Sequence, residues 1–239
     1  MPSTAADVQR DLAFVADAAD AAHLQRFFKT GPGEYGEGDV FLGVRVPQTR
    51  KIVRAHRDIP PAEIRRLLES PVHEHRLAGL LLLVERFERA RDESVRAEVV
   101  DAYLEAVRDG HVNNWDLVDT SAPRILGAWF ADRPRDPVRV LAADEDLWHR
   151  RVALLTTLGF LTRADASTTL ELAEKVLSDR RDLIQKAVGW MLREVGSRVD
   201  REALTDFLDV HAAEMGRTAL SYATEHLSAD ERAHYRAQR

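Results

Sequence analysis

The segment HRLAGLL, residues 75–81, carries a pattern that returns four times later in the chain. Its Arg76 is followed two positions later by a small or apolar side chain. The equivalent positions in the four later segments are Asp119, Arg151, Lys186 and Arg217. Successive positions are 31 to 43 residues apart, a spacing typical of paired-helix repeats. Such repeats stack into a curved array, so the sequence predicts a helical solenoid with a concave face.

Apolar residues recur at spacings of three and four through almost the whole chain, and no stretch alternates with period two. Proline and glycine residues interrupt this pattern. We therefore expect an all-α, HEAT-like repeat solenoid that forms a single domain over residues 1–239. Helices are predicted over 5–19, 21–30, 47–57, 61–69, 72–90, 93–109, 115–131, 136–143, 146–162, 165–178, 182–196, 200–213 and 215–227.

The segment GPGEYGEGD, residues 31–39, interrupts the helical pattern with four glycines. A glycine-rich loop can bind phosphate, but this one lacks the usual Gly-Lys-Ser/Thr ending. Its carboxylates, Glu34, Glu37 and Asp39, would repel phosphate. We interpret the segment as a flexible surface connection.

Composition narrows the class of protein further. The chain has 239 residues, a net charge of −6 and no cysteine, which excludes disulfides and a zinc site built on thiolates. Residues 1–20 carry acids and lack the basic segment and apolar stretch of a secretion signal. The longest apolar run, residues 77–84, is far shorter than a membrane span. We expect a cytoplasmic protein without membrane association.

Four of the five aligned positions are basic, and equivalent positions in stacked repeats point the same way. A basic stripe along a concave groove is the pattern expected for contact with a nucleic-acid backbone. The net charge of −6 argues against such a partner unless the acids lie on the convex side. Asp119 is the exception, because a carboxylate in a positive groove repels DNA.

Helical spacing adds two tryptophans to this set. Trp115 lies four residues before Asp119 and Trp190 four residues after Lys186, so each pair shares a helix face. These four residues and Arg151 are predicted to line one concavity, with Arg193 flanking it.

Structural roles are the alternatives. Tryptophans in helices usually belong to cores, and we interpret Trp129 and Trp148 in that way. Asp119 can be a helix-surface acid paired with Arg124 or Arg151. Asp116, which lies off the Trp115 face, is interpreted either as ordinary helix surface or as an early-turn acid near the helix N-terminus.

One carboxylate between aromatic faces can stabilise a cation held next to DNA. The oxocarbenium ion that forms as a base leaves deoxyribose is such a cation. At ~4 Å and an effective dielectric of ~20, an opposite charge contributes about 4 kcal/mol, and indole faces add cation–π attraction. A base made cationic by alkylation needs no protonation to leave, so an acid such as His149 or Glu194 is not required.

Four blocks carry a resemblance to a known family: FLGVRVPQTRK (41–51), NNWDLVDTSAP (113–123), LWHRRVALL (147–155) and IQKAVGWMLREVG (184–196). Over roughly residues 23–200 the chain resembles the DNA alkylation repair glycosylases of the AlkD type, which are built from HEAT-like repeats. The resemblance places the catalytic aspartate on Asp119, the two tryptophans on Trp115 and Trp190, and the groove arginine on Arg151. It implies excision of cationic N3- and N7-alkylated purines from duplex DNA, without a requirement for flipping the lesion into a pocket.

The chain departs from this family pattern at three places. Phe27 or Phe28 stands where the family has a tyrosine, which removes a hydroxyl that can touch the DNA backbone. The segment 31–39 replaces a shorter connection. Pro123 is predicted to kink the helix that bears Asp119, because proline lacks a backbone donor.

The sequence therefore predicts a monofunctional DNA glycosylase whose partner is double-stranded DNA containing alkylated purines. Asp119, Trp115, Trp190 and Arg151 are the predicted catalytic set, and the predicted backbone contacts are Arg76, Lys186, Arg193 and Arg217. We expect a monomer with no cofactor, and no metal because the histidines lack ligand spacing. The alternatives are a non-catalytic DNA-structure binder and a protein-interaction scaffold on the same fold, the latter favoured by the negative charge.

Overall fold

The computed structural model of the chain describes residues 2–238. This part is built from helices and contains no β-strand, only an isolated parallel bridge between Val40 and Val72. The prediction of an all-α fold is confirmed. The helices are α1 Ala5–Phe14, α2 Ala18–Phe27, α3 Val46–Ala55, α4 Pro61–Leu68, α5 His73–Arg89, α6 Glu93–Arg108, α7 Trp115–Ala122, α8 Ala128–Phe130, α9 Asp136–Ala143, α10 Leu147–Leu161, α11 Ser167–Lys175, α12 Asp182–Arg198, α13 Arg201–His211, α14 Arg217–Ala223 and α15 Ala229–Ala237.

Every predicted helix has a counterpart, with ends that shift by a few residues. The helix predicted over 115–131 is divided into α7, a π-helical turn over Pro123–Gly127 and α8. Pro123 has no backbone N–H, and the wider hydrogen-bond spacing of a π-turn accommodates the missing donor. The hydrogen-bonding pattern of the helix therefore changes directly after the segment that carries Asp119.

The helices group into two compact units, Met1–Ser121 and Ala122–Arg239. In the first unit, α3, α4 and α6 pack against α5. This helix is apolar on all sides over residues 77–84, as a central buried helix must be. In the second unit, α9, α12 and the π-turn pack against α10, and α13 and α14 pack against α12. The single domain over 1–239 stays a prediction.

The backbone of residues 42–44 is hydrogen-bonded to α5, the central helix of the first unit. The carboxylate of Glu74 on α5 accepts hydrogen bonds from the backbone amides of Leu42, Gly43 and Val44 at 2.8 to 3.1 Å. Gly43 has a φ of 82°, and a Cβ there would lie 2.0 Å from the backbone oxygen of Asp17. Glycine is required at this position because the backbone is left-handed and the space is filled.

Candidate functional site

Helix α7, which carries Trp115 and Asp119, starts on an asparagine. The Asn114 carbonyl accepts from the Val118 N–H at 3.2 Å, and its side-chain oxygen accepts from the Trp115 N–H at 2.9 Å. Asp116 accepts from the Leu117 N–H, also at 2.9 Å. The first amides of a helix have no partner within it, and these polar side chains supply partners.

Asp116 is held from outside its own helix by a buried histidine. His73 contacts Asp116 through Nε2 at 2.9 Å and Asp39 through Nδ1 at 3.0 Å. Burial opposes a charge on His73, but the two carboxylates outweigh it and raise its pKa to about 9. The imidazolium therefore bridges two carboxylates. The interpretation of Asp116 as ordinary helix surface is wrong, because it is only 9% exposed and ion-paired. The alternative, an acid in the first turn of the helix, is confirmed.

Arg76 completes this buried cluster. It is 4% exposed, its guanidinium pairs with Asp39, and it donates to the Asn113 side chain at 3.1 Å. Asp39 also accepts from Asn114 at 3.1 Å. Despite desolvation, its hydrogen bond to His73 and the charge of Arg76 keep the pKa of Asp39 below its ordinary value. A phosphate contact needs an accessible guanidinium, so the predicted DNA-binding role of Arg76 is replaced by a structural one.

The segment 31–39 therefore ends in a structural residue. Glu34 and Glu37 are exposed and accept hydrogen bonds from amides within the loop. Asp39, in contrast, is buried and neutralised by the histidine and the arginine. The segment is a series of turns, as expected for a connection, but its last carboxylate lies in the interior of the first unit.

Aromatic rings of the first unit pack against Trp115. The Phe28 ring is stacked on Trp115 with centroids 5.1 Å apart. It also contacts the rings of Phe41 and His73, each at a centroid distance of 5.1 Å. Phe28 is buried, whereas Phe27 is 56% exposed and meets Trp115 edge-on at 5.9 Å. Phe27 is therefore the accessible one of the two phenylalanines considered for the tyrosine position.

Asp119 lies one helical turn after Trp115 on α7. Both side chains are half-buried, while Leu117 and Val118 between them are fully buried. This arrangement follows from helical periodicity, since residues four apart share a face. Trp115 and Asp119 thus lie on the part of α7 that is not closed by the core of the first unit.

A buried hydroxyl pair lies near Asp119. The Tyr103 hydroxyl contacts the Ser121 hydroxyl at 2.9 Å, and Ser121 donates to the Leu117 carbonyl at 2.5 Å. Burial and the negative charge of Asp119 raise the pKa of Tyr103 above its ordinary value. Tyr103 therefore remains a neutral hydroxyl.

The second unit carries Arg151 and Trp190. Arg151 is 4% exposed, and its Nη1 donates to the Leu183 carbonyl at 2.7 Å. This guanidinium is held within the second unit, and the place of Arg151 in the catalytic set stays a prediction. Trp190 is half-buried, and its Nε1 donates to Glu194 at 3.1 Å.

Glu194, one of the two residues considered as a proton donor, is unsuited to that role. Glu194 is partly desolvated, but hydrogen bonds from Arg198 and Arg193 lower its pKa below the ordinary value. It is therefore ionised at neutral pH and is a poor general acid. His149 contacts Asp144 through Nδ1 at 2.9 Å.

Lys186 and Arg193, two of the predicted backbone contacts, form ion pairs within the second unit. Lys186 is half-buried and lies 2.8 Å from Asp182. Arg193 pairs with Glu225 and, at 3.2 Å, with Glu194. A phosphate would compete with these carboxylates for the same cations.

Arg217 differs from these cations in its surroundings. It is exposed at the start of α14 and lines an open pocket with Arg236 of α15. The other lining residues are apolar or neutral, namely Ala213, Leu220 and Ser221. Among the predicted contacts, Arg217 therefore lies in a setting that favours an anion.

The two remaining tryptophans are not fully enclosed. Trp129 and Trp148 are both half-buried, so their interpretation as core residues holds only in part. The Arg133 guanidinium lies 3.7 Å from the centroid of the Trp129 ring, a cation–π contact that covers this ring at the surface.

Sequence reasoning missed the cluster formed by Asp39, His73, Arg76 and Asn114. The sequence offered one signal for this cluster, at Asn114, because asparagine directly before a helix is a typical cap. The pairing of His73 with Asp116 was not readable, because 43 residues separate them.

Within residues 2–238, no group of three or more histidine, aspartate or glutamate side chains is arranged to bind a metal ion. In the same range, no helix combines the length and apolar character needed to span a membrane.

A family model described as DNA alkylation repair enzyme matches residues 8–227. The chain belongs to this family. Membership assigns it a role in DNA alkylation repair, with DNA as its substrate. The match includes α7, with Trp115 and Asp119, and ends before α15, which begins at Ala229.

The fold has a counterpart among solved structures. A predicted DNA alkylation repair enzyme from Enterococcus faecalis superposes with a TM-score of 0.67 over 90% of this chain and 97% of its own. The two chains are 18% identical, so the likeness concerns the helical repeat fold alone. No curated protein matches the chain in sequence.

Proposed function

We propose that this DNA alkylation repair enzyme is a monofunctional DNA glycosylase. It hydrolyses the N-glycosidic bond of cationic N3- and N7-alkylated purines in duplex DNA and leaves an abasic site. The observation that carries the proposal is a half-buried carboxylate, Asp119, one helical turn from the half-buried indole of Trp115. Family membership over residues 8–227 supplies the DNA substrate.

Asp119 stabilises the sugar cation that develops as the base leaves. An opposite charge at ~4 Å and an effective dielectric of ~20 contributes about 4 kcal/mol. If this stabilisation acts only in the transition state, it raises the rate of base release by about three orders of magnitude. Asp119 also orients the water that attacks the sugar. The alkylated base leaves as a neutral molecule, so no general acid is needed, which is consistent with the lowered pKa of Glu194.

Trp115 packs against the deoxyribose next to the lesion. The stacked Phe28 ring restricts it, so little conformational entropy is lost when DNA binds. In the second unit we assign Trp190 to the DNA backbone, since its donation to Glu194 fixes the orientation of the indole. Arg151, also in the second unit, is the remaining member of the proposed catalytic set.

Lys186, Arg193 and Arg217 are the proposed phosphate contacts. Lys186 and Arg193 must exchange carboxylate partners for phosphate. Arg217 lines a pocket without acids and needs no such exchange. We therefore expect Arg217 to contribute most per residue to DNA affinity.

Asp119→Asn tests the catalytic role. The substitution keeps the shape of the side chain and removes its charge, so single-turnover release of N7-methylguanine from methylated duplex DNA should fall about 100-fold or more. Asp101→Asn is the matched control, because Asp101 is an exposed aspartate on the neighbouring helix α6 of the same unit. It should leave the rate unchanged.

Release of the base at the wild-type rate by Asp119→Asn would remove the catalytic assignment. If the wild type binds duplex DNA with a steep salt dependence but releases no base, the protein is a DNA-structure binder. If duplex DNA does not bind even at low salt, the protein-interaction scaffold, which the net charge of −6 favours, replaces both.

A further inference from the structure

Four consecutive residues, the two before α7 and the first two within it, are held by contacts with other parts of the first unit. Asn113 accepts from Arg76, Asn114 donates to Asp39, and Trp115 stacks on Phe28. Asp116 follows with its contact to His73. Every residue of the sequence NNWD thus has its side chain tied to another part of the first unit, and Asp119 follows on the same helix.

His73 is the member that joins these contacts. We propose that His73 is a positioning residue that, by bridging Asp39 and Asp116, fixes the start of α7 and with it the orientation of Trp115 and Asp119. The inference rests on the proposed glycosylase function for its consequence in catalysis. Its structural part concerns the first unit alone.

The geometry supports this role in two ways. Both ring nitrogens of His73 are engaged by carboxylates at hydrogen-bond distance, so the ring is held in one position. The His73 ring stacks on Phe41 with centroids 4.4 Å apart and meets the tilted ring of Phe28 at 5.1 Å, and Phe28 in turn stacks on Trp115. A shift of the imidazole therefore reaches Trp115 both through Asp116 and through the aromatic stack.

The charges around His73 balance only while it is protonated. The groups that face it are Asp39 from the loop, Asp116 from α7 and Arg76 from its own helix, in addition to the aromatic rings. With an imidazolium, two cations meet two carboxylates. Loss of the proton leaves a buried excess carboxylate, and one ring nitrogen stops donating.

The direction of the pH effect follows. Because the folded-state pKa of His73 lies near 9 against an ordinary value of 6.5, the charged form stabilises the fold. That contribution is fully present below pH 6.5 and is lost as the pH rises through about 9. The start of α7 should therefore loosen on the alkaline side.

Fluorine NMR tests the structural part without any activity. In protein labelled with 5-fluorotryptophan, the Trp115 resonance, assigned with Trp115→Phe, should titrate with a midpoint near 9. In His73→Gln it should lose this titration and already lie away from its wild-type position at neutral pH. Asp116→Asn, which keeps the side-chain shape, is the second variant and should shift the same resonance.

Kinetics test the catalytic part. In His73→Gln or Asp116→Asn, single-turnover base release should fall about 10- to 100-fold, as expected for a misplaced catalytic group. Affinity for unmodified duplex DNA should change less than about twofold, since the cluster is buried. The control is His56→Gln, which removes another buried histidine paired with an aspartate, Asp11, at 2.8 Å.

The outcomes separate the two proposals. A Trp115 resonance that neither titrates nor shifts in either variant overturns the positioning role, whatever the activity. Shifts of this resonance without base release by the wild type support the positioning role and overturn the glycosylase. Equal losses of base release in His56→Gln and His73→Gln show a general stability effect and overturn the role of His73 in catalysis.

Discussion

Asp116 and Asp119 are three residues apart on α7 and have different surroundings. Asp116 is buried against the imidazolium of His73, which compensates its charge. Asp119 is half-buried near the neutral hydroxyl of Tyr103, whose pKa is raised by burial and, to a smaller extent, by the charge of Asp119. The residue type is the same, and the neighbouring groups differ: the Asp116 carboxylate is bound within the first unit, and we propose that the Asp119 carboxylate acts on the substrate.

Phe27 offers a test of the aromatic surface next to Trp115. Its ring is exposed and meets Trp115 edge-on, and it is one of the two phenylalanines predicted to stand where the family has a tyrosine. We expect Phe27→Tyr to tighten binding of lesion-containing duplex DNA about fivefold, since one added hydrogen bond contributes about 1 kcal/mol. Equilibrium titration by fluorescence anisotropy measures the change.

The control for this substitution is Phe14→Tyr on α1. Phe14 is also exposed and has no ring contact with Trp115 within the described residues. An equal gain in affinity from both substitutions would mean that the added hydroxyl acts nonspecifically, and the assignment of Phe27 to the DNA surface would fail.

At the scale of helices, periodicity and chain breaks predicted most elements. Apolar spacing located α5 and α10 because each is long and packs on several neighbours. Helix α15 was missed, although Ser228 and Glu231 form a capping box at its start. Its sequence, ADERAHYRA, has few apolar residues, so the apolar spacing used to find the other helices is nearly absent there.

Contacts between distant helices were not readable in the same way. Alignment of the repeats placed Arg76 in the position of a groove cation, yet a buried aspartate 37 residues earlier pairs with it. Asp116 was assigned to the surface from its position on an isolated helix. In both cases a partner from another element decides the role, and periodicity contains no information on such partners.

The close approach of α10 to the π-turn gives a prediction at this scale. A methyl group on Gly159 would lie 2.5 Å from the Cα of Gly127, because the backbones of α10 and the π-turn are in direct contact at these two glycines. We expect Gly159→Ala to destabilise the protein by about 2 kcal/mol or more, because neither backbone can move without disrupting its helix. Urea unfolding followed by circular dichroism measures the loss.

Gly79→Ala on α5 is the matched comparison for that substitution. The new methyl would lie 2.9 Å from the Leu68 Cδ2, the end of a flexible side chain. Leu68 can change rotamer, so a smaller loss is expected, partly offset by the higher helix propensity of alanine. Equal losses at Gly79 and Gly159 would show that backbone contact is not what makes Gly159 necessary.

For the molecule as a whole, the net charge of −6 and the DNA substrate of the family must be reconciled. Many arginines pair with acids of their own unit, as Arg139 does with Glu171 and Arg65 with Glu105. Such pairs are neutral and release few counterions on DNA. Affinity for DNA should therefore depend on a small number of cations outside these pairs.

Arg217 is the cation for which this argument makes the clearest prediction. It is exposed, and no acid lines its pocket. In Arg217→Ala, the slope of log Kd against log salt concentration should decrease by about one. The control is Arg163→Ala, because Arg163 is an exposed arginine of the same unit that pairs with Asp132. It should leave the slope unchanged, since its charge is already compensated. If the slope falls equally in both variants, arginines with and without an acidic partner contribute equally to DNA binding. Charge compensation by acids would then not explain how an acidic protein binds DNA.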